Sequence, residues 1–536
     1  MMPRLATRST TREANSSRIR RCSLFAIILF CAGCATLRPD VEKPVSTSLP
    51  PTDDTPPAHY IERELAAHAG LSGFRLLTKS NNALMSRVVL ADQAQHSIDL
   101  QYYIFNNDAT GRLIAQRLLK AADRGVRVRM LVDDINSGDA SSMLETLSLH
   151  KNIQVRFFNP FHTRDPSFIS KAAQFMLEGR RLNRRMHNKA FIVDGWVAVV
   201  GGRNIGDEYF DAGSEANFRD LDVVAIGPVV ASAATTFDAY WNCDASYRLK
   251  ALRTTKPDSD ALEQERTALA RDARTFAQSD YAQAVFAELP EGATADRPGD
   301  WFWGNAELVA DDPAKVTAKD DAPSLRIGPK VKRVLDAAES EVILISPYFI
   351  PGETGINYLA GLVKRGVETK VLTNSLASND ELAAHAGYAH YRPGLLAAGV
   401  QLYELRPAPG QGEQPATSGG TSSGVSLHAK AVVVDDRYVF VGSMNLDQRS
   451  KLLNTEMGVI VDSAGLAAAV KRFFDSAAQP DASFRVSLEP AYNGEVPVWS
   501  AKDGDKVVTF HEDPDTSAAR RFEVSLIALL PIESLL

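Results

Sequence analysis

Two short stretches of the chain carry residue types that can do chemistry together. His187-Asn188-Lys189 is followed by Asp194 and then by Gly201-Gly202-Arg203-Asn204. His428-Ala429-Lys430 is followed, at identical spacing, by Asp435 and by Gly442-Ser443-Met444-Asn445. Each copy also has a glutamate 28 residues after its histidine, Glu215 and Glu456. A single H-x-K means little in a chain with ten histidines, whereas two full copies at matched spacing are a signal. Alternate residues of an extended strand share a face, so the His and Lys of each pair point the same way. Brought to one pocket, the two lysines would neutralise phosphate oxygens, with Asn204, Asn445 and Ser443 as further donors. One histidine would attack phosphorus and the other would protonate the leaving alkoxide. Glu215 and Glu456 would each accept the second ring N–H of their own histidine and fix its tautomer. The lysine charges leave no task for a metal or other cofactor, and none is expected. Asp194 and Asp435 complete the motifs and count among the catalytic candidates; at strand ends before a Gly or Asp turn, they suit a structural role as well.

The elements that must position these residues occur twice. Ser97–Phe105 reads as a strand, Leu113–Ala122 as a helix closed by Arg124-Gly125, and Val126–Val132 as a second strand. The order returns as Val342–Ile345 and Tyr348–Ile350, a helix over Leu359–Lys364, Arg365-Gly366, and Val367–Leu372. The two Arg-Gly-Val tripeptides lie 241 residues apart, as do the two histidines. Strand-like segments Ile153–Phe158 and Val400–Leu405 precede each motif. Alternation of strands and helices predicts α/β layers around mixed or parallel sheets, and the long repeat predicts two similar lobes.

With the repeat, these motifs resemble the phospholipase D superfamily over nearly all of residues 75–480. The resemblance implies two α/β/α sandwich lobes with mixed sheets, packed about a pseudo-twofold axis. It also implies His187 as the residue that becomes a phosphohistidine, and His428 as acid and then base; the sequence alone is symmetric on that point. Gly202 departs from the pattern, which has Ser there. Arg184-Arg185-Met186, Asp133-Asp134, Phe158-Asn159-Pro160-Phe161, Ile205-Gly206-Asp207-Glu208-Tyr209-Phe210 and Asn454-Thr455-Glu456-Met457-Gly458 are similar to bacterial cardiolipin synthases of the C type. That group moves a phosphatidyl group from phosphatidylethanolamine to phosphatidylglycerol, with His385, Tyr391 and Arg392 as candidates to line a head-group pocket; helix packing suits His385 equally. Rival readings are a phospholipase D hydrolysing lipid to phosphatidic acid, a nuclease, or a silent binding protein.

The N-terminus looks like a targeting segment. Six arginines and one glutamate precede or flank an apolar run, Leu24–Gly33, too short to span a bilayer. It ends in Cys31-Ala32-Gly33-Cys34, which resembles a bacterial lipobox with Cys34 as the lipidated residue. Cleavage there would change the net charge from −7 to −12, which argues against a nucleic-acid partner. Cys243 would remain alone, without a disulfide partner. The expected organisation is a signal peptide (1–33), a flexible tether (34–70), a first lobe (71–250), a connector (251–325), a second lobe (326–480) and a C-terminal extension (481–536). The expected setting is the bacterial envelope, facing the periplasm, as a lipid-anchored monomer. Ala35 suggests sorting to the outer membrane, and the inner membrane stays open.

Overall fold

The computed structural model describes residues 43–54, 56–135, 140–161, 168–213, 216–252, 258–288, 301–318, 322–407, 424–492 and 494–529. The segment read as a signal peptide, Cys34 and Glu215 lie outside the described residues.

The first lobe is a mixed sheet of eight strands: β1 (Ser72–Leu77), β2 (Ser97–Tyr102), β3 (Arg127–Asp133), β4 (Ile153–Phe158), β5 (Ala190–Val193), β6 (Val197–Gly201), β8 (Asp222–Ile226) and β9 (Ser246–Arg248). Between β6 and β8 runs β7 (Ala216–Arg219), which belongs to a small separate sheet. The order is β1-β8-β6-β5-β2-β3-β4-β9, with β2, β3 and β4 parallel and the rest antiparallel. The second lobe repeats it with β10 (Phe302–Ala310), β11 (Glu341–Ile345), β12 (Glu368–Asn374), β13 (Gln401–Leu405), β15 (Ala431–Val434), β16 (Tyr438–Gly442), β17 (Met457–Asp462) and β18 (Ser483–Ala491). Here the order is β10-β17-β16-β15-β11-β12-β13-β18. Two strands, β19 (Gly494–Asp503) and β20 (Lys506–Phe510), extend its far edge.

The equivalent strands β1 and β10 pair antiparallel with each other, Ser72 opposite Gly304 and Phe74 opposite Phe302. Antiparallel pairing of two equivalent strands is what a twofold relation between lobes produces. The parallel strands are buried along most of their length although β2 and β3 carry polar residues: Asp99, Gln101 and Arg129 are buried with them. One core fills the space between the sheets: Ile192, Val200 and Val223 of the first lobe meet Val433, Val441 and Val459 of the second, with Trp241 and Phe474 from the flanking helices.

Three expectations change. Residues 251–325 hold helices over Ala261–Ala277 and Asp280–Glu288, but also β10, so the second sheet begins inside the segment read as a connector. The Tyr348–Ile350 stretch forms no strand, only a bridge between Phe349 and Leu446. Residues 43–54, read as part of a free tether, lie against the first lobe. Buried Arg129 donates to Ser46 O and Ser48 Oγ while it pairs with Asp99 and Asp238, and Trp196 Nε1 donates to Thr52 O. A buried guanidinium needs several acceptors, and this polar segment supplies them without any apolar core.

The C-terminal helix Ala518–Ile527 packs on the second lobe through Val524, against Leu376 and Ala386. No helix among the described residues is long and apolar enough to cross a membrane.

Candidate active site

Each histidine is delivered by a segment that crosses to the other lobe. β7 pairs in parallel with β14 (Gly424–Leu427), and His428 N donates to Arg219 O at 2.8 Å. In the symmetric place Met186 bridges to Thr455, and His187 N donates to Thr455 O at 2.8 Å. The His-x-Lys residues thus sit just before β5 and β15, not within them. The two histidines are nearly buried, at 7% and 6% exposed.

The crossing sets the partners. His187 Nδ1 lies 2.8 Å from Glu456 Oε2, and His428 Nδ1 lies 2.6 Å from Asp220 Oδ2. Each ring is therefore oriented by a carboxylate of the opposite lobe. This corrects the expectation that each histidine has the glutamate of its own motif: Glu456 stands at His187, in the place expected for Glu215, and Asp220 stands at His428, in the place expected for Glu456. Strand register explains the miss. Gly201 faces Asp222 in the first lobe and Gly442 faces Gly458 in the second, so Asp220 and Glu456 are equivalent, each two residues before the matched position. The segment after the first motif is five residues longer, which shifts the acid out of the 28-residue spacing.

His187 Nδ1 also lies 3.1 Å from Ser443 O. A carbonyl only accepts, so Nδ1 carries the proton and Nε2 presents its lone pair. Ser443 Oγ and Ser450 Oγ donate to the two oxygens of Glu456, at 2.6 and 2.8 Å. In the first lobe a Cβ on Gly202 would stand 2.1 Å from Asp220 Oδ1, which explains why glycine replaces serine there. Arg203 donates to Asp220 O and so holds that acid from behind.

Lys189 Nζ donates to His187 O at 2.8 Å, and Lys430 Nζ to His428 O at 2.6 Å. Both are fully buried. Burial, with Lys189 and Lys430 adding to it, holds His187 well below the usual imidazole range. Burial and Lys430 bring His428 down to about 3, although Asp220 pulls the other way. Burial lowers Lys189 strongly and Lys430 to about 8, against the attraction of nearby carboxylates. The two acids differ. Burial pushes Glu456 up to about 7, whereas for Asp220 the charge and hydrogen bond of His428 outweigh burial and bring it to about 2.

Asn204 Oδ1 accepts from Ile104 N, and Asn445 is nearly buried in the loop after β16. Sequence reasoning missed the aromatic walls: Tyr103 meets His187 edge-on at 5.0 Å, and Tyr209 and Phe218 flank His428 at 5.2 and 5.1 Å. Their signal is only position: Tyr103 just after β2, Tyr209 in the turn Asp207–Tyr209 and Phe218 within β7.

Asp194 and Asp435 do not join the site. Each lies at the far end of its strand, roughly 20 Å from its histidine at about 3.4 Å per residue. Asp194 accepts the N–H groups of Gln95, His96 and Ser97, and Asp435 those of Glu339, Ser340 and Glu341. Both have positive φ, +51° and +53°. They tie a turn to the start of the neighbouring antiparallel strand, β2 or β11, so their catalytic reading is corrected to a structural one. His385 is likewise internal, with Arg392, Asp513 and Glu404 around it, and does not line the pocket. Arg184 is spent on Lys315 O and Ala318 O, and Arg185 on Asp133.

The arrangement can bind one phosphodiester between two lysines, attack it with a neutral imidazole and protonate the departing oxygen with a second. Comparisons with known proteins agree with that chemistry. The family described as cardiolipin synthase, phospholipase D-like domain, matches residues 88–241 and 331–478. The chain is 40% identical over 475 residues to cardiolipin synthase C of Escherichia coli K12, covering 88% of this chain and 97% of that protein. It is 25% identical over 406 residues to the cardiolipin synthase of Oceanobacillus iheyensis, covering 75% and 68%. The crystal structure of phosphatidylserine synthase from Haemophilus influenzae has the same fold, with a TM-score of 0.56 at 14% identity over 89% of this chain and 100% of that one.

Proposed function

Because the chain belongs to the phospholipase D-like family of cardiolipin synthases, we propose that it is a phosphatidyltransferase that makes cardiolipin through a phosphohistidine, with phosphatidylethanolamine as donor and phosphatidylglycerol as acceptor. The observation that carries the chemistry is the crossed pair of His–carboxylate couples in one pocket with two buried lysines. His187 Nε2 attacks phosphorus, His428 gives a proton to the leaving alcohol, and the same imidazole then takes a proton from the acceptor hydroxyl as it displaces His187. The two acids support this division of roles. Asp220 stays ionised and can stabilise an imidazolium at His428, whereas Glu456, held near neutrality, favours an uncharged, nucleophilic His187. The phosphodiester anion offsets the lysine charges that depress His428, so the acid takes up its proton when substrate is bound. The test is incubation with the two lipids separately and together, followed by lipid mass spectrometry. Cardiolipin from the pair supports the reading, and phosphatidic acid as the main product sinks it.

The pH profile follows from Lys430. A neutral amine no longer attracts the phosphodiester, so kcat/KM falls as pH rises through about 8. Lys430→Arg stays charged above that pH, and in that variant the alkaline limb attributable to residue 430 moves upward. A limb at the same pH in both proteins contradicts the assignment.

The enzyme works at a bacterial envelope membrane, anchored by lipid on Cys34. What supports this is the Cys31-Ala32-Gly33-Cys34 sequence after a short apolar run behind a basic segment. Eight residues lie between Cys34 and Lys43, a reach of at most about 30 Å, which would keep the enzyme close to the membrane surface. Cys34→Ala is expected to move the protein from the membrane pellet to the soluble fraction; retention in the pellet points to another attachment. Both halves of the site come from one chain, so a monomer suffices.

A further inference from the structure

The pocket is built for an anion, yet Asp380, an acid that the phosphate chemistry does not use, acts on Lys430. Asp380 lies in the loop after β12, at the same end of the second sheet as His428. That loop is fixed to the segment that delivers the histidine: Leu427 N donates to Asn374 Oδ1 at 2.8 Å, Asn374 Nδ2 returns a bond to Leu427 O at 2.9 Å, and Ser378 Oγ donates to Asn374 Oδ1 at 3.2 Å. From the other side Arg520 of the C-terminal helix donates to Leu376 O and Asn379 O. Asp380 is thus held by a rigid support, not by a free loop.

Its carboxylate is half used. Tyr348 Oη donates to Oδ2 at 2.9 Å, while Oδ1 is buried with no protein donor. Tyr348 is itself placed by the catalytic loop, since Ser346 Oγ donates to Tyr348 O and accepts from Leu446 N. The charges that reach Asp380 are those of the site: burial raises it, and Lys430 lowers it. Asp380 in turn adds to the upward push that burial gives Tyr348 and Tyr209, and Tyr209 packs on His428.

A buried carboxylate with an unused oxygen is costly, more so where the substrate brings a negative phosphate. The cost is offset if the same substrate brings a positive charge a few ångströms from the phosphorus. Asp380 stands on the His428 side, where the leaving alcohol departs. We infer that Asp380, positioned by Tyr348, forms a subsite for the cationic end of the donor head group, so that an alkylammonium alcohol is the preferred leaving group. This rests on the phosphatidyltransferase reading and adds to it the residue that selects the donor.

The experiment uses the full-length enzyme with phosphatidylglycerol as acceptor in every arm. The donor is isotope-labelled phosphatidylethanolamine, its N,N-dimethyl and trimethyl forms, or labelled phosphatidylglycerol, whose head group is neutral. The readout is the ratio of kcat/KM for the cationic donor to that for the neutral one, which does not depend on the fraction of active protein. Asp380→Asn is expected to lower this ratio at least tenfold, about 1.4 kcal/mol of discrimination. Tyr348→Phe removes only the hydroxyl that orients the acid, and should lower the ratio by a smaller factor. A ratio within twofold of wild type in both variants overturns the proposal, whatever happens to absolute rates. Should Asp380→Asn be inactive, Tyr348→Phe and the methylated donor series decide: no discrimination by wild type between cationic and neutral donors overturns it. Absence of cardiolipin in all wild-type arms would instead count against the phosphatidyltransferase reading.

Discussion

Turnover is expected to vanish when either histidine is replaced: His187→Ala and His428→Ala each lose roughly 10⁴-fold or more in kcat, and the double variant is no slower than either single one. The reason lies in the shared pocket. Removing Nε2 of His187 deletes the atom that forms the bond to phosphorus. Removing His428 deletes the proton that a poor leaving alkoxide requires. Two steps of one mechanism do not lose rate additively. Folding should survive, because neither ring is a large part of the core and the strands behind them, β5 and β15, keep their own apolar partners. Steady-state assays with a thermal melt of each variant check both points. A single variant that kept a tenth of wild-type activity would mean two independent sites.

The second large effect concerns the crossed carboxylates. Asp220→Asn and Glu456→Gln are each expected to cost roughly 10²–10⁴-fold, the range for loss of the acid that orients a catalytic imidazole. The type of loss should separate them. Asp220 stabilises the protonated form of His428, so Asp220→Asn behaves as a weakened acid and recovers with a donor whose leaving group needs little protonation. Glu456 orients the nucleophile, so Glu456→Gln stays slow with every donor. Pairing by sequence spacing would assign Glu456 to His428 and predicts rescue in the opposite variant. Comparing an alkyl with a p-nitrophenyl leaving group decides between them.

Much of this was legible in the chain because the repeat is written in local chemistry. Continuous apolar runs such as Val432-Val433-Val434 fix buried strands, and Arg-Gly closes equivalent helices, where Gly125 and Gly366 take φ of +104° and +87°. The histidines and lysines were legible for the same reason, as two matched copies. What escaped is set by pairing between distant segments. Asp220 could not be found by counting, since its equivalence to Glu456 resides in strand register. The exchange of acids between lobes is a tertiary fact with no local signature. Residues 43–54 read as a tether because they have no apolar pattern, yet they satisfy Arg129, whose burial is decided by the rest of the lobe. Asp194 and Asp435 were catalytic candidates by membership in the motif and suited a structural role by their place at strand ends, and the three backbone N–H groups around each decide for the latter.

The central claim, covalent transfer at one site shared by two lobes, is tested most directly by trapping the intermediate. His428→Ala, given a donor with a good leaving group, should form a phosphatidyl-enzyme that persists because the resolving base is missing. Rapid quench at neutral pH and peptide mapping should place the acid-labile adduct on His187, and His187→Ala should form none with any donor. An adduct on the peptide containing His428 would reverse the roles, and no adduct in any variant would contradict covalent transfer.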